Sequence, residues 1–185
     1  MIFVNACIRE EDSRTLRIAK DILKNENIEE IDLNKMNLLP YTYSNNPVMH
    51  GIKDEFIDLS KKIANSDGLI IAAPFWDMSF PALLKVFLEK LSIVDVMFKD
   101  TGETCLGIAK CPFMFLITTR GMNIDDESPL EQATPYLKAL CELWGIEKFD
   151  SISAYNLDYS SSSIVEEKIK NAIKEGKEKL DNLKK

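Results

Sequence analysis

Five short apolar runs alternate along this chain with five segments of helical periodicity, and no other feature constrains the fold as much. The runs lie at residues 1–6, 28–33, 68–73, 112–118 and 148–154. Between the first two, residues 13–25 carry Leu16, Ala19 and Leu23 on one face with Ile18 and Ile22 beside it, and Ser13 or Asp12 stands ready as a cap. A second helix over 52–65 starts at Ile52 and sets Phe56, Leu59 and Ile63 at helical spacing. A third is expected over 79–91. A fourth lies between 129 and 144 and stops at Gly145, a favoured residue just past a helix end. Pro135 falls inside it and marks a kink or a restart. The fifth, over 162–183, is amphipathic at first and Lys/Glu-rich later, with a serine-rich lead-in over 160–163.

Strands that alternate with helices form right-handed βαβ units, so the expectation is an α/β three-layer sandwich around a parallel sheet. Five strands fit the doubly wound order 2-1-3-4-5, whose switch point lies between strands 1 and 3. The loops after strands 1, 3 and 4, at 7–14, 74–79 and 119–126, then meet at one edge. In such sheets the crevice beyond the carboxyl ends of the strands is where ligands bind.

A chain of 185 residues suffices for one domain, and 1–185 is read as one, since neither an internal repeat nor a long linker interrupts it. The formal net charge of −7 argues against nucleic acid as the main partner. No apolar run approaches the roughly 20 residues that cross a bilayer. The start, Met1-Ile2-Phe3-Val4, reads as a strand rather than a signal peptide, which makes a cytoplasmic location the expectation. Four cysteines (Cys7, Cys105, Cys111 and Cys141) lack CxxC spacing and have only His50 to join them, so no metal site is expected. They read as free buried thiols, with Cys7 set apart by its place at a strand end. His50, in a Pro/Asn-rich loop, reads as solvated.

The loop after strand 1 carries Arg9, Ser13, Arg14 and Thr15 and runs into a helix N-terminus, where open N–H groups and the helix dipole favour an anion. Hydroxyls and guanidinium groups there suit a terminal phosphate. The same residues also serve as a plain capped helix with solvated arginines, and Glu10-Glu11-Asp12 oppose an anion unless they point outward. No GxGxxG or GxxxxGK[ST] pattern is present, which disfavours a dinucleotide fold and a P-loop. The loop after strand 3, Pro74-Phe75-Trp76-Asp77-Met78-Ser79, offers an indole wall and a row of backbone amides to a flat ring, or else plugs the core with Trp76. The loop after strand 4, Thr118-Thr119-Arg120-Gly121-Met122, adds donors and a glycine that permits close backbone approach. Alone it is an ordinary turn. Taken together, a phosphate end, a ring seat and donors beyond it describe a flavin mononucleotide.

At this point the chain resembles the flavodoxin-like NAD(P)H:quinone oxidoreductases and FMN-dependent NADH-azoreductases over most of its length. Pro74 followed by Pro81-Ala82-Leu83-Leu84-Lys85 is similar to that family's ring-carrying loop and helix, with Trp76 where the family keeps an aromatic residue and Phe75, Asp77 and Met78 at neighbouring binding positions. Residues 98–107 resemble its hairpin, Thr118-Thr119-Arg120-Gly121 its loop after strand 4, and Glu131-Gln132, Pro135-Tyr136-Leu137 and Gly145-Ile146 its fourth-helix signature. Arg9, Ser13 and Thr15 match its phosphate loop. Asp100 departs from a common aromatic, Cys7 from small hydroxyl residues and Met122 from a second glycine.

The resemblance implies a flavodoxin-like fold, FMN as cofactor and NADH or NADPH as co-substrate. It implies ping-pong transfer of two electrons to a quinone, azo compound or nitroaromatic. No side-chain nucleophile is needed, because the flavin N5 carries the chemistry. Arg120 and its loop would stabilise negative charge near N1 and O2, and Phe98 and Asp100 would face the acceptor. The resemblance also implies a homodimer, formed through the third helix and the 97–107 hairpin. Leu83, Leu84, Val86, Phe87, Leu88 and Leu91 make that helix apolar nearly all round, a pattern equally met by burial within one subunit. Two other readings stand beside the enzyme: a flavodoxin-type single-electron carrier without NAD(P)H activity, and a flavodoxin-like binding protein that has lost its flavin.

Overall fold

The computed structural model describes residues 1–51 and 53–185. In chain order its elements are β1 (Ile2–Asn5), α1 (Arg14–Leu23), β2 (Glu29–Asp32), α2 (Pro47–His50), α3 (Ile57–Ala64), β3 (Leu69–Ala72) and α4 (Ala82–Leu91). There follow β4 (Phe98–Asp100), β5 (Cys105–Gly107), β6 (Phe113–Thr119), α5 (Ala133–Trp144), β7 (Lys148–Ala154) and α6 (Ser162–Leu183). Five strands pair in parallel in the order β2-β1-β3-β6-β7, and β4-β5 form a separate antiparallel hairpin. The main sheet is the doubly wound sheet expected from the alternation.

Side chains alternate across a strand, and here the two sets enter two different cores. Val4, Ile71, Met114 and Leu116 pack with Ile63, Leu84, Phe87 and Leu137 on one face. Phe3, Ile70, Phe115 and Ile117 pack with Ile18, Ile22, Ile169 and Leu180 on the other. The sheet is thus covered by α3, α4 and α5 on one side and by α1 and α6 on the other. With both faces covered, β1, β3 and β6 are buried at every residue. The exposed edge falls to β2, whose Glu29 and Glu30 face water.

Three helix starts differ from the expected ones. Residues 76–79 form a tight turn in which Trp76 and Ser79 exchange backbone hydrogen bonds of 2.8 and 2.9 Å, so α4 starts only after Pro81. Glu131 accepts from the Ala133 and Thr134 amides and starts α5 at Ala133. Pro135 then lies in the first turn, where its missing N–H breaks no intrahelical bond, and α5 continues without a restart. α3 starts at Ile57; Ile52, the expected start, lies outside the described residues.

α4 is less bare than its composition implies. Leu84, Phe87, Leu88 and Leu91 are buried within the chain, leaving Leu83 and Val86 half-covered, and Met97 is fully buried. Cys105 is exposed, contrary to the expectation of four buried thiols, because it lies on the hairpin outside both cores. His50 is exposed and meets the Tyr43 carbonyl at 2.8 Å. Among the described residues, no helix is long and apolar enough to cross a membrane.

Candidate functional site

The site grows from the carboxyl ends of β1, β3 and β6. After β1 the chain stays buried through Cys7, whose amide donates to Asn5 Oδ1 at 3.0 Å. Burial pushes the Cys7 thiol up to about 11 against a lowering hydrogen bond from Ser13, so it stays neutral. A single 3-10 turn at Glu10–Asp12 leads into α1. Ser13 caps that helix by accepting from the Leu16 amide at 3.2 Å. The first intrahelical bond runs from Arg17 to Ser13, so the Arg14 and Thr15 amides precede it and, among the described residues, have no partner at the positive end of the dipole. Glu11 turns away to Lys20, whereas Asp12 faces the cavity.

After β3 the strand direction is carried on by Ala73, donating to Ile117 O at 3.0 Å, and by Phe75, donating to Thr119 O at 3.0 Å. That bond and the Trp76–Ser79 exchange engage three amides of the expected row. The turn holds Asp77 at φ 46° and Met78 at φ 66°, a left-handed pair of the kind tight hairpins use. Among the described residues the Asp77 and Met78 amides have no partner. Trp76 is 41% exposed and therefore walls the cavity instead of plugging the core.

After β6, Thr119 meets Thr15 hydroxyl to hydroxyl at 2.6 Å, tying the third loop to α1. The Gly121 and Met122 amides also lack a partner among the described residues, while their carbonyls accept from Asp158 and Asn156. Arg14 reaches across to the Asp158 carboxylate at 2.5 Å.

These parts enclose one cavity of about 220 Å³. Its anion end is formed by Arg9, Asp12, Ser13, Arg14 and Thr15. Its flat end is formed by Pro74, Phe75 and Trp76, and its far side by Thr119, Gly121, Met122 and Asp158.

Several expected residues lie elsewhere. Thr118 is buried within β6, and Asp77 and Met78 hold the turn beside the cavity without lining it. Phe98 and Asp100 belong to the hairpin and do not line it either. Arg120 is the main correction. Its guanidinium is fully buried, donating to Asp126 at 2.6 Å and to the Ile124 carbonyl at 2.9 Å, with Glu131 4.0 Å away. A buried cation must be paired, and these partners draw it under the loop, where it stacks 5.3 Å from the Phe75 ring centroid. It therefore supports the ring wall from behind.

Asp12 and Asp158 were not anticipated as lining residues. Asp158 follows β7, and its only sequence signal is that the fifth strand also ends at this edge of the sheet.

The family model described as flavodoxin-like fold matches residues 1–180. An FMN-dependent NADH:quinone oxidoreductase 2 of Clostridium perfringens (strain 13 / Type A) is 32% identical over 190 residues, covering 94% of this chain and 96% of that protein. An FMN-dependent NADH:quinone oxidoreductase from strain SM101 of that species is 30% identical over 197 residues, covering 99% and 96%. Among solved structures, an FMN-dependent NADH-azoreductase from Bacillus anthracis str. Ames Ancestor in complex with FMN superposes with a TM-score of 0.84 at 20% identity, covering 100% of this chain and 99% of that one. Sheet order, loop placement and these matches along nearly the whole chain agree: the protein belongs to the flavodoxin-like fold family that includes the FMN-dependent NADH:quinone oxidoreductases.

Proposed function

We propose that this protein binds FMN and acts as an NADH:quinone oxidoreductase. Two electrons pass from NADH or NADPH, in two separate half-reactions, to a quinone, azo compound or nitroaromatic. One observation carries the reading: the loops after β1 and β6 leave open donors at a single cavity whose flat wall comes from the loop after β3, with the open Asp77 and Met78 amides in the turn beside it. The names of the relatives point the same way.

The donor set fits the group. The Arg14 and Thr15 amides, the Ser13 and Thr15 hydroxyls and the Arg9 and Arg14 guanidinium groups would hold its phosphate. The open amides of Asp77, Met78, Gly121 and Met122 would meet the carbonyl and nitrogen edges of its ring, acting as fixed dipoles where negative charge develops. Pro74, Phe75 and Trp76 would hold its plane. Thr118 sets the position of Thr119, and Arg120 braces Phe75. Bound FMN would supply hydride acceptance and donation, while the chain supplies position and electrostatics.

Trp76, Val94, Leu106, Ile108 and Leu130 expose apolar side chains on the ring loop, the end of α4, the hairpin and the lead-in to α5. We place a homodimer contact there, bringing a second copy over the ring loop and leaving Phe98 and Asp100 beside the acceptor.

The test is a visible spectrum of the purified protein, reconstituted with FMN, before and after anaerobic NADH or NADPH. The expected result is a yellow protein that bleaches within the mixing time and regains colour when a quinone is added. A protein that remains colourless after reconstitution overturns the reading. A yellow protein that neither nucleotide bleaches is a single-electron carrier instead.

A further inference from the structure

The anion end of the cavity already holds anions of its own. Asp158 is carried there by the chain after β7, through hydrogen bonds from Asn156 to Met122 O at 2.8 Å and from Asp158 to Gly121 O at 3.0 Å. Its carboxylate rests against Gly121, where a Cβ would fall 1.9 Å from Oδ2, so a larger residue there would push the carboxylate aside. Oδ1 accepts from Arg14 at 2.5 Å. Arg9 and Arg14 are thus matched by Asp12 and Asp158, and the formal charge of the lining cancels.

The Arg14–Asp158 pair is exposed, with side chains 34% and 59% accessible. An exposed ion pair contributes little, so its partners exchange readily. Arg14 gives Asp158 one of its donors, while Arg9 has no ion-pair partner among the described residues.

We propose that Asp158 is an internal competitor for Arg14 and the residue that sets the site's affinity for a phosphomonoester. An incoming phosphate takes the Arg14 guanidinium from Asp158 and binds against the repulsion of the carboxylate left beside it. This rests on the phosphate end of the FMN reading. Competition outweighs orientation here: a dianion next to a carboxylate is repelled across the whole cavity, whereas an exposed pair holds a long side chain only weakly.

Asp158→Asn tests this, because asparagine keeps the shape against Gly121 and can still accept from Arg14 while losing the charge. Binding is read from flavin fluorescence as apoprotein is titrated into FMN or riboflavin, with inorganic phosphate as competitor. Asp158→Asn is expected to bind FMN about fivefold tighter at low salt, with the gain shrinking at high salt. Riboflavin, which lacks the phosphate, should bind both proteins equally, and inorganic phosphate should displace FMN from the variant at lower concentration. FMN binding that is unchanged or weaker overturns the inference and makes Asp158 an orienting residue. A gain that persists in full beside Arg14→Gln overturns the exchange. Wild-type protein that binds riboflavin as well as FMN overturns the phosphate end itself, and with it the inference, before any variant is made.

Discussion

Cys7 closes β1 beneath the anion loop with no exposed surface, and its thiol is pushed up to about 11 by that burial. Cys141, buried in α5, is pushed up to about 12 for the same reason. In the unfolded chain both titrate near 9. As pH rises, the unfolded state releases these protons first. The stability the thiols contribute is therefore complete below pH 9 and is lost as pH climbs towards the folded values. Each thiol should reduce the unfolding free energy by about 1.4 kcal/mol per pH unit in that window. Urea unfolding at pH 9 and 11 would show it, and Cys141→Ala should give a shallower decline than the wild type. Equal slopes would refute the burial account. Arg120 marks what a residue's type leaves unsaid at this scale. The loop, the charge and the neighbouring glycine were legible in Thr118-Thr119-Arg120-Gly121. The direction of the side chain was not, because it depends on Asp126 and Glu131, which reach the guanidinium only once β6 and α5 are packed.

The hairpin of β4 and β5 was legible only through resemblance. Its strands have three residues each and are mostly exposed, so they carry no apolar alternation. The five sheet strands were legible because each crosses or borders two cores. The helix starts at Ala82 and Ala133 were misplaced because a left-handed turn at 77–78 and a carboxylate cap at Glu131 are fixed by single residues rather than by periodicity. What holds the hairpin in place is backbone against backbone. Ala109 donates to Trp144 O at 3.0 Å, and a Cβ on Gly107 would fall 2.1 Å from the Gly145 amide nitrogen. Gly145 is itself the left-handed cap of α5, at φ 81°. Neither partner can rotate away. Gly107→Ala should therefore cost about 2–3 kcal/mol, the scale of overpacking a tight contact. Gly102→Ala, in the open turn at φ 84° with nothing within 4 Å, should cost about 1 kcal/mol from backbone strain alone. Chemical denaturation of the two variants separates packing from strain, and equal losses would remove the packing argument.

At the scale of the whole molecule, one subunit has two filled cores and yet leaves its flat wall open. Trp76 on the ring loop is 41% exposed, and apart from the cavity Leu106 on the hairpin is 59% and Val94, between α4 and β4, 49% exposed. Trp76 is fixed by the exchanged bonds with Ser79, and Leu106 by the hairpin pairing of Lys99 with Leu106. Rigid, exposed apolar side chains are the pattern of a surface awaiting a partner. A second copy related by a two-fold axis would cover the same patch on both chains. It would bury the hairpin and ring loop rather than the length of α4, most of which one subunit already covers. Sedimentation equilibrium should accordingly give twice the 21.1 kDa chain mass. Leu106→Glu combined with Val94→Glu should return a folded monomer with unchanged far-ultraviolet circular dichroism. FMN should still bind that monomer through the anion end, which the patch does not touch. Quinone turnover should fall at least tenfold, the scale of losing an interaction worth about 1.4 kcal/mol in positioning the acceptor. A wild-type protein that sediments as a monomer, or a monomeric variant with full turnover, would confine the site to one subunit.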